Sequence, residues 1–147
     1  MNKYHARLDR IFKKFIRLRD RHDETTGKCI SCGRFVPIGV RWQAGHYHPT
    51  NCCPQPSMRF NEKNVNGQCS YCNKELHGNQ DGYREGLIRK YGPTVMTQLQ
   101  MIKSMKQNPW MDFEYKTLLE HYRQKVKEIE GGIFGVPTKR KKSEVVT

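Results

Sequence analysis

The sequence is poor in acid, poor in apolar residues and free of long hydrophobic runs. Among 147 residues there are 14 Asp plus Glu against 27 Lys plus Arg, a formal net charge of +13. Acidic, solvating chains are thereby excluded. Hydrophobic residues make up 35% and the mean hydropathy is −0.89, so any core is small and calls for a staple. No stretch approaches the ~20 apolar residues of a membrane span. The opening residues are charged throughout, unlike a secretory signal. A basic chain of this kind, with a sequence pI near 9.7, points to nucleic acid rather than to a membrane or a small-molecule substrate.

The acid deficit is local. Residues 29–80 contain only two carboxylates, Glu62 and Glu75, whereas residues 1–28 carry nine basic residues against four acidic. Tyr4, Leu8, Ile11, Phe12, Phe15 and Leu18 recur at helical spacing. Arg7, Arg10, Lys13, Lys14, Arg17 and Arg21 lie mostly off that stripe. The pattern predicts a helix that packs by one face and offers the other to phosphates or simply to solvent. Residues 22–28 read as a helix end and turn. Residues 28–48, with β-branched and aromatic residues around Gly and Pro, read as one or two short hairpins. Helix is expected again at 71–76, 83–91, 94–104 and 112–130, with Gly92-Pro93 as a boundary. The stripe of the last helix is Tyr115, Leu118, Leu119, Tyr122, Val126 and Ile129. Both terminal stripes suit either packing within the chain or a homodimer face.

The expected fold class is α+β, mostly helical. It divides into a basic N-terminal helix (1–27), a zinc-stapled core (28–80), C-terminal helices (81–131) and a flexible basic tail (132–147). The staple is read from two Cys-x-x-Cys pairs, Cys29/Cys32 and Cys69/Cys72. Two such pairs can place four thiolates around one structural Zn²⁺. Disulfides and a redox pair are the rival readings, and the doubled knuckle without a βαβ pattern argues against both. Gly33 suits the turn after the first knuckle. Cys52 and Cys53 are adjacent and read as loop thiols. The 36 residues between the pairs exceed an ordinary zinc ribbon, so the metal pins both ends of a larger insert.

That insert holds Gly45-His46-Tyr47-His48, then Arg59-Phe60-Asn61-Glu62-Lys63-Asn64, and closes on Cys72-Asn73 with His77 following. Phosphodiester hydrolysis needs a base to activate water, a Lewis acid on the phosphate and a group that holds the base. A histidine with nearby asparagines supplies such parts. Trp42, Tyr47 and Phe60 read as core, and Tyr83 and Tyr91 as helix packing.

From about Phe15 to Leu99 the sequence resembles the phage NinG family, also called Rap, of recombination nucleases. The residues that carry the likeness include Phe15-Ile16-Arg17, Arg19-Asp20, both cysteine knuckles, Ala44-Gly45-His46-Tyr47, Arg59-Phe60-Asn61-Glu62, Asn64, Asn73, Gly78-Asn79 and Tyr83-Arg84. More distantly it is similar to the endonuclease VII group of the His-Me finger (HNH) superfamily. The resemblance implies a ββα-metal core and metal-dependent cleavage of branched DNA, such as Holliday junctions and D-loops, in the cytoplasm of a bacterial host. It implies His46 as general base, Asn64 (or neighbouring Asn61) as the group orienting it, and Asn73 toward a catalytic Mg²⁺ or Mn²⁺; His77, one helical turn after Asn73, suits either the same metal or a surface position. Arg59, Lys63, Lys13 and Arg17 are the expected DNA contacts. One departure stands out: many His-Me finger enzymes place Asp before the catalytic histidine, and here that residue is Gly45. Family members often carry a further cysteine-bearing basic region ahead of the first helix, and the expectation is a nuclease core without it. A zinc-stapled DNA-binding module without catalysis, and a nickase of linear duplex, are the alternatives.

Overall fold

The computed structural model describes residues 2–132. The basic tail expected at 132–147 lies, from residue 133 onward, outside the described residues. In chain order the elements are α1 (His5–Arg19), β1 (Thr26–Lys28), β2 (Phe35–Pro37), β3 (Trp42–His46), α2 (Pro56–Arg59) and β4 (Val65–Cys69). A π-helical turn (Tyr71–Glu75), α3 (Gln80–Tyr91), α4 (Thr94–Ser104) and α5 (Asp112–Glu130) complete them. The fold is mixed α+β and about half helical. Among the described residues no helix is long and apolar enough to cross a membrane.

The terminal helices partner each other. Leu8, Phe12, Phe15 and Ile16 of α1 pack on Tyr115, Tyr122, Val126 and Ile129 of α5, with Phe60 and Val65 closing the cluster. Phe12 stacks edge-on to Tyr122 at 4.9 Å between ring centroids. A 15-residue helix is marginal alone in water; this burial is what holds α1. The exposed pair Lys14–Glu130, at 3.3 Å, adds little beside it. Of the two uses open to the stripes, the fold realises packing within the chain. A second cluster joins Cys53, Met58, Tyr83, Leu87, Val95 and Leu99 beneath α3 and α4.

Two small antiparallel sheets lie between these clusters. β1 pairs with β2 around the first cysteine knuckle. The segment read as a plain turn at 22–28 therefore ends in a strand, because Lys28 pairs with Phe35. β3 pairs with β4 in the register Trp42↔Cys69, Gln43↔Gln68, Ala44↔Gly67, Gly45↔Asn66 and His46↔Val65. The Trp42 indole is 2% exposed and lies flat against two glycines. A Cβ on Gly27 or Gly67 would meet it at 2.5 Å or 2.2 Å, which no real packing allows. Its Nε1–H donates to the Arg17 carbonyl at 2.9 Å and so fixes the end of α1 on β3.

A charged clamp does the same for β4. The Arg19 guanidinium donates to the carbonyls of Glu62 (2.9 Å) and Val65 (3.0 Å). Asp20 accepts from the Gly67 amide at 2.7 Å and pairs with Arg19 and Lys90. Burial would raise the Asp20 pKa, but these partners hold the carboxyl below its ordinary range. The Arg19-Asp20 pair thus anchors α1 to the strand that carries the second knuckle.

Candidate active site and metal centre

The four knuckle cysteines converge. Their sulfurs all lie within 4.8 Å of one another, and Cys32 Sγ stands 3.9 Å from Cys69 Sγ. Four sulfurs at ~2.3 Å from a tetrahedral zinc would be about 3.8 Å apart, whereas a disulfide needs ~2.05 Å. No disulfide forms: all six cysteines are free. Cys29 and Cys32 come from the β1–β2 turn, where Gly33 takes a φ of +75°. Cys69 ends β4, and Cys72 sits in the π-helical turn. The amides of Ser31 and Cys72 approach Cys29 Sγ and Cys69 Sγ, each at 3.4 Å, and Asn79 Nδ2 donates to Cys72 Sγ at 3.3 Å. Burial pushes the Cys29 thiol up to about 11. Cys32 is brought down to about 7 because hydrogen bonds, led by the Arg34 amide, outweigh its burial. This donor set suits a metal such as zinc. Cys52 is exposed and Cys53 is buried in the α3–α4 cluster; neither joins the four.

His46 ends β3 with its ring turned toward α1 and α2. Its Nε2 lies 2.9 Å from the Arg59 carbonyl oxygen. A carbonyl can only accept, so Nε2 carries the proton and Nδ1 keeps its lone pair in the neutral ring. Burial lowers the imidazole pKa below 6.5; the Arg59 carbonyl opposes this, and the charges of Lys13 and Arg59 add to it. The ring is thereby kept neutral and basic at Nδ1 near neutral pH. Tyr83, in the first turn of α3, donates its hydroxyl to the Gly45 carbonyl at 2.6 Å and holds the strand just before the histidine.

Asn64 does not touch the ring. It is fully buried; its Oδ1 accepts from the His48 amide at 2.9 Å, and its Nδ2 donates to the carbonyls of His48 (3.2 Å) and Met58 (3.0 Å). It therefore joins the chain just after His46 to the helix whose last carbonyl holds His46. The expectation of a side-chain amide on the imidazole is corrected to a backbone carbonyl positioned by that amide. Asn61 caps the same turn, accepting from the amides of Lys63 and Asn64.

Asn73 lies in the π-helical turn with its Nδ2 donating to Gln43 Oε1 at 2.8 Å. Its Oδ1 comes within 3.1 Å of where a Cβ on Gly45 would be, so it abuts the residue next to His46. His77 is not brought to it. The turn ends at Glu75, and His77 takes a φ of +51° on the exposed surface. The helical stacking that would have placed His77 over Asn73 is absent. His48 turns its ring to Tyr47, 4.9 Å away.

Beside Asn73 runs a groove of about 850 Å³ whose lining includes Lys13, Lys14, Arg17, Arg21 and Lys74, with Gln43, Ala44 and Asn73, and no acidic residue. Arg17 is half-buried there, its pKa lowered by burial with no carboxylate to offset it. Arg21 Nε is buried without a hydrogen-bond partner. Cations left in this state call for an external anion. Two expected DNA contacts stand elsewhere. Arg59 pairs with Asp9 at 3.1 Å, and Lys63 reaches Gln98 at 3.0 Å. Lys13 also pairs with Asp9, at 2.9 Å, and links the groove to the His46 surroundings.

The family profile described as "Bacteriophage Lambda NinG protein" matches residues 1–131. The chain belongs to the NinG family. It is 36% identical over 115 residues to Protein ninG of Salmonella phage P22 and equally to Protein ninG of Escherichia phage lambda, covering 78% of this chain and 52% of each relative. Protein ninG of Escherichia phage 933W is 35% identical over the same length. The chain thus spans about half the length of the curated NinG relatives it matches. No solved structure matches it.

Sequence reasoning missed Gln43, which holds Asn73, and Asp9, which gathers Lys13 and Arg59. Tyr83 was read as packing alone. Gln43 had a faint signal, a polar residue on the same strand face as Gly45.

Proposed function

We propose that this NinG-family chain is a metal-dependent endonuclease of branched DNA, built on a His-Me finger core. The observation that carries the reading is the His46 ring, fixed through Nε2 by the Arg59 carbonyl, one residue from the glycine that Asn73 abuts. Nδ1 of His46 takes a proton from water, which attacks phosphorus in line with the departing 3′ oxygen. A divalent Mg²⁺ or Mn²⁺ at Asn73 would supply Lewis-acid stabilisation of the charge on the phosphate. Lys13, Arg17 and Arg21 receive the backbone in the acid-free groove, and Cys29, Cys32, Cys69 and Cys72 would hold a structural zinc that ties together the two knuckles framing the site. Resolving a four-way junction takes two incisions, which two copies of the chain would provide.

The test is a cleavage panel. Purified protein is given a four-way junction, a D-loop and a linear duplex of the same sequences, with Mg²⁺ or Mn²⁺. The reading expects incision of the branched substrates in preference to the duplex. Equal incision of the linear duplex favours a nickase, and tight binding without incision in either metal favours a zinc-stapled binding module.

A further inference from the structure

Two side-chain amides near His46 have their nitrogens tied and their oxygens free. Gln68 is fully buried on β4, and its Nε2 donates to Ser31 Oγ and to the Gly78 carbonyl, both at 2.8 Å. Since the Gly78 carbonyl can only accept, the amide cannot turn round. Its Oε1 is left buried with no hydrogen-bond partner. Asn73 is arranged alike: its Nδ2 is held by Gln43, and its Oδ1 accepts from no described residue.

The two oxygens face one place. A Cβ on Gly45 would sit 1.9 Å from Gln68 Oε1 and 3.1 Å from Asn73 Oδ1, so the oxygens lie within about 5 Å of each other. Gln68 Oε1 is buried and unpaired, Asn73 Oδ1 reaches it from the groove side, and two carbonyl dipoles with their negative ends together and no donor between them are unfavourable. A cation relieves both at once. Hard divalent ions choose oxygen ligands, and Mg²⁺ keeps several waters, so two protein oxygens suffice. The position is also apt, because Gln68 Oε1 occupies the space that a side chain at residue 45 would need. The strand opposite provides an oxygen where the residue before His46 has no side chain to offer.

We propose that Gln68 Oε1 and Asn73 Oδ1 together form the protein share of a seat for one hydrated divalent cation, Mg²⁺ or Mn²⁺, beside Gly45. The inference rests on the nuclease reading for what the ion would do, and on the two untied oxygens for where it sits.

The test titrates Mn²⁺ into the zinc-loaded full chain without DNA, following free Mn²⁺ by electron paramagnetic resonance. Wild type is expected to bind one Mn²⁺. Gly45→Ala drives a methyl into Gln68 Oε1 and should weaken Mn²⁺ binding about 10- to 100-fold with zinc content retained. Gln68→Ala should do the same. Adding Gly45→Asp to Gln68→Ala places a carboxylate in the vacated space and should restore Mn²⁺ binding, a recovery that a merely misfolded variant would not show. Wild-type Mn²⁺ affinity in both single variants, or no recovery in the double, overturns the seat. If wild type nevertheless cleaves branched DNA with Mn²⁺, only the seat falls. If wild type neither binds Mn²⁺ nor cleaves, the paired oxygens hold a water and the nuclease reading falls with the seat.

Discussion

Asn64→Ala is the most revealing single change away from the chemistry. The side chain is fully buried and makes three hydrogen bonds to backbone groups of His48 and Met58, between 2.9 and 3.2 Å. Each is worth about 1 kcal/mol net, and the Met58 carbonyl left behind is buried, so the loss is about 3 kcal/mol. For a chain of this size that lowers Tm by roughly 10 °C. The same bonds join the segment after His46 to α2, whose last carbonyl fixes the imidazole, so branched-DNA cleavage by the folded fraction should also fall. Differential scanning calorimetry on zinc-loaded protein reads the first effect, and single-turnover cleavage below the new Tm reads the second. A Tm within about 2 °C of wild type, well under the roughly 10 °C expected, would refute the bracing role.

The remaining predictions concern the metal, the groove and pH. Metal analysis should return about one zinc per chain, and a strong chelator should unfold residues 28–80, because a site with four thiolate ligands makes binding free energy part of folding free energy; equal stability with and without chelator contradicts this. Arg17→Ala should weaken DNA binding across sequences and reduce the salt slope by about one, and an unchanged slope places the backbone elsewhere. The cleavage rate should fall as pH drops through the His46 pKa. Since burial lowers that pKa from 6.5, the midpoint of the profile should lie below pH 6.5; a midpoint above that value contradicts the assignment.

Much of the scaffold was legible in the sequence. The α4 and α5 boundaries follow from Gly92-Pro93 and from the Tyr115–Ile129 stripe, because helical period and chain breakers are local signals. The knuckles were legible because spacing alone brings four thiolates together. β4 was not. Its Val-Asn-Gly-Gln-Cys has no apolar alternation, and all five residues are buried, so tertiary pairing with β3 rather than pattern makes it a strand. Once β4 is missed, the Gln43↔Gln68 register and its consequence for residue 45 are invisible. The role of Asn64 was misjudged for a related reason. A backbone carbonyl has no letter in the sequence, so the Arg59 main-chain oxygen that meets His46 Nε2 could not be read there.

The account stands or falls on His46. The direct measurement is single-turnover cleavage of a four-way junction in Mn²⁺ by wild type and His46→Ala, at matched zinc content and saturating protein. The substitution should cost about 10²-fold or more in rate with junction affinity nearly unchanged. Cleavage by His46→Ala at the wild-type rate would contradict it.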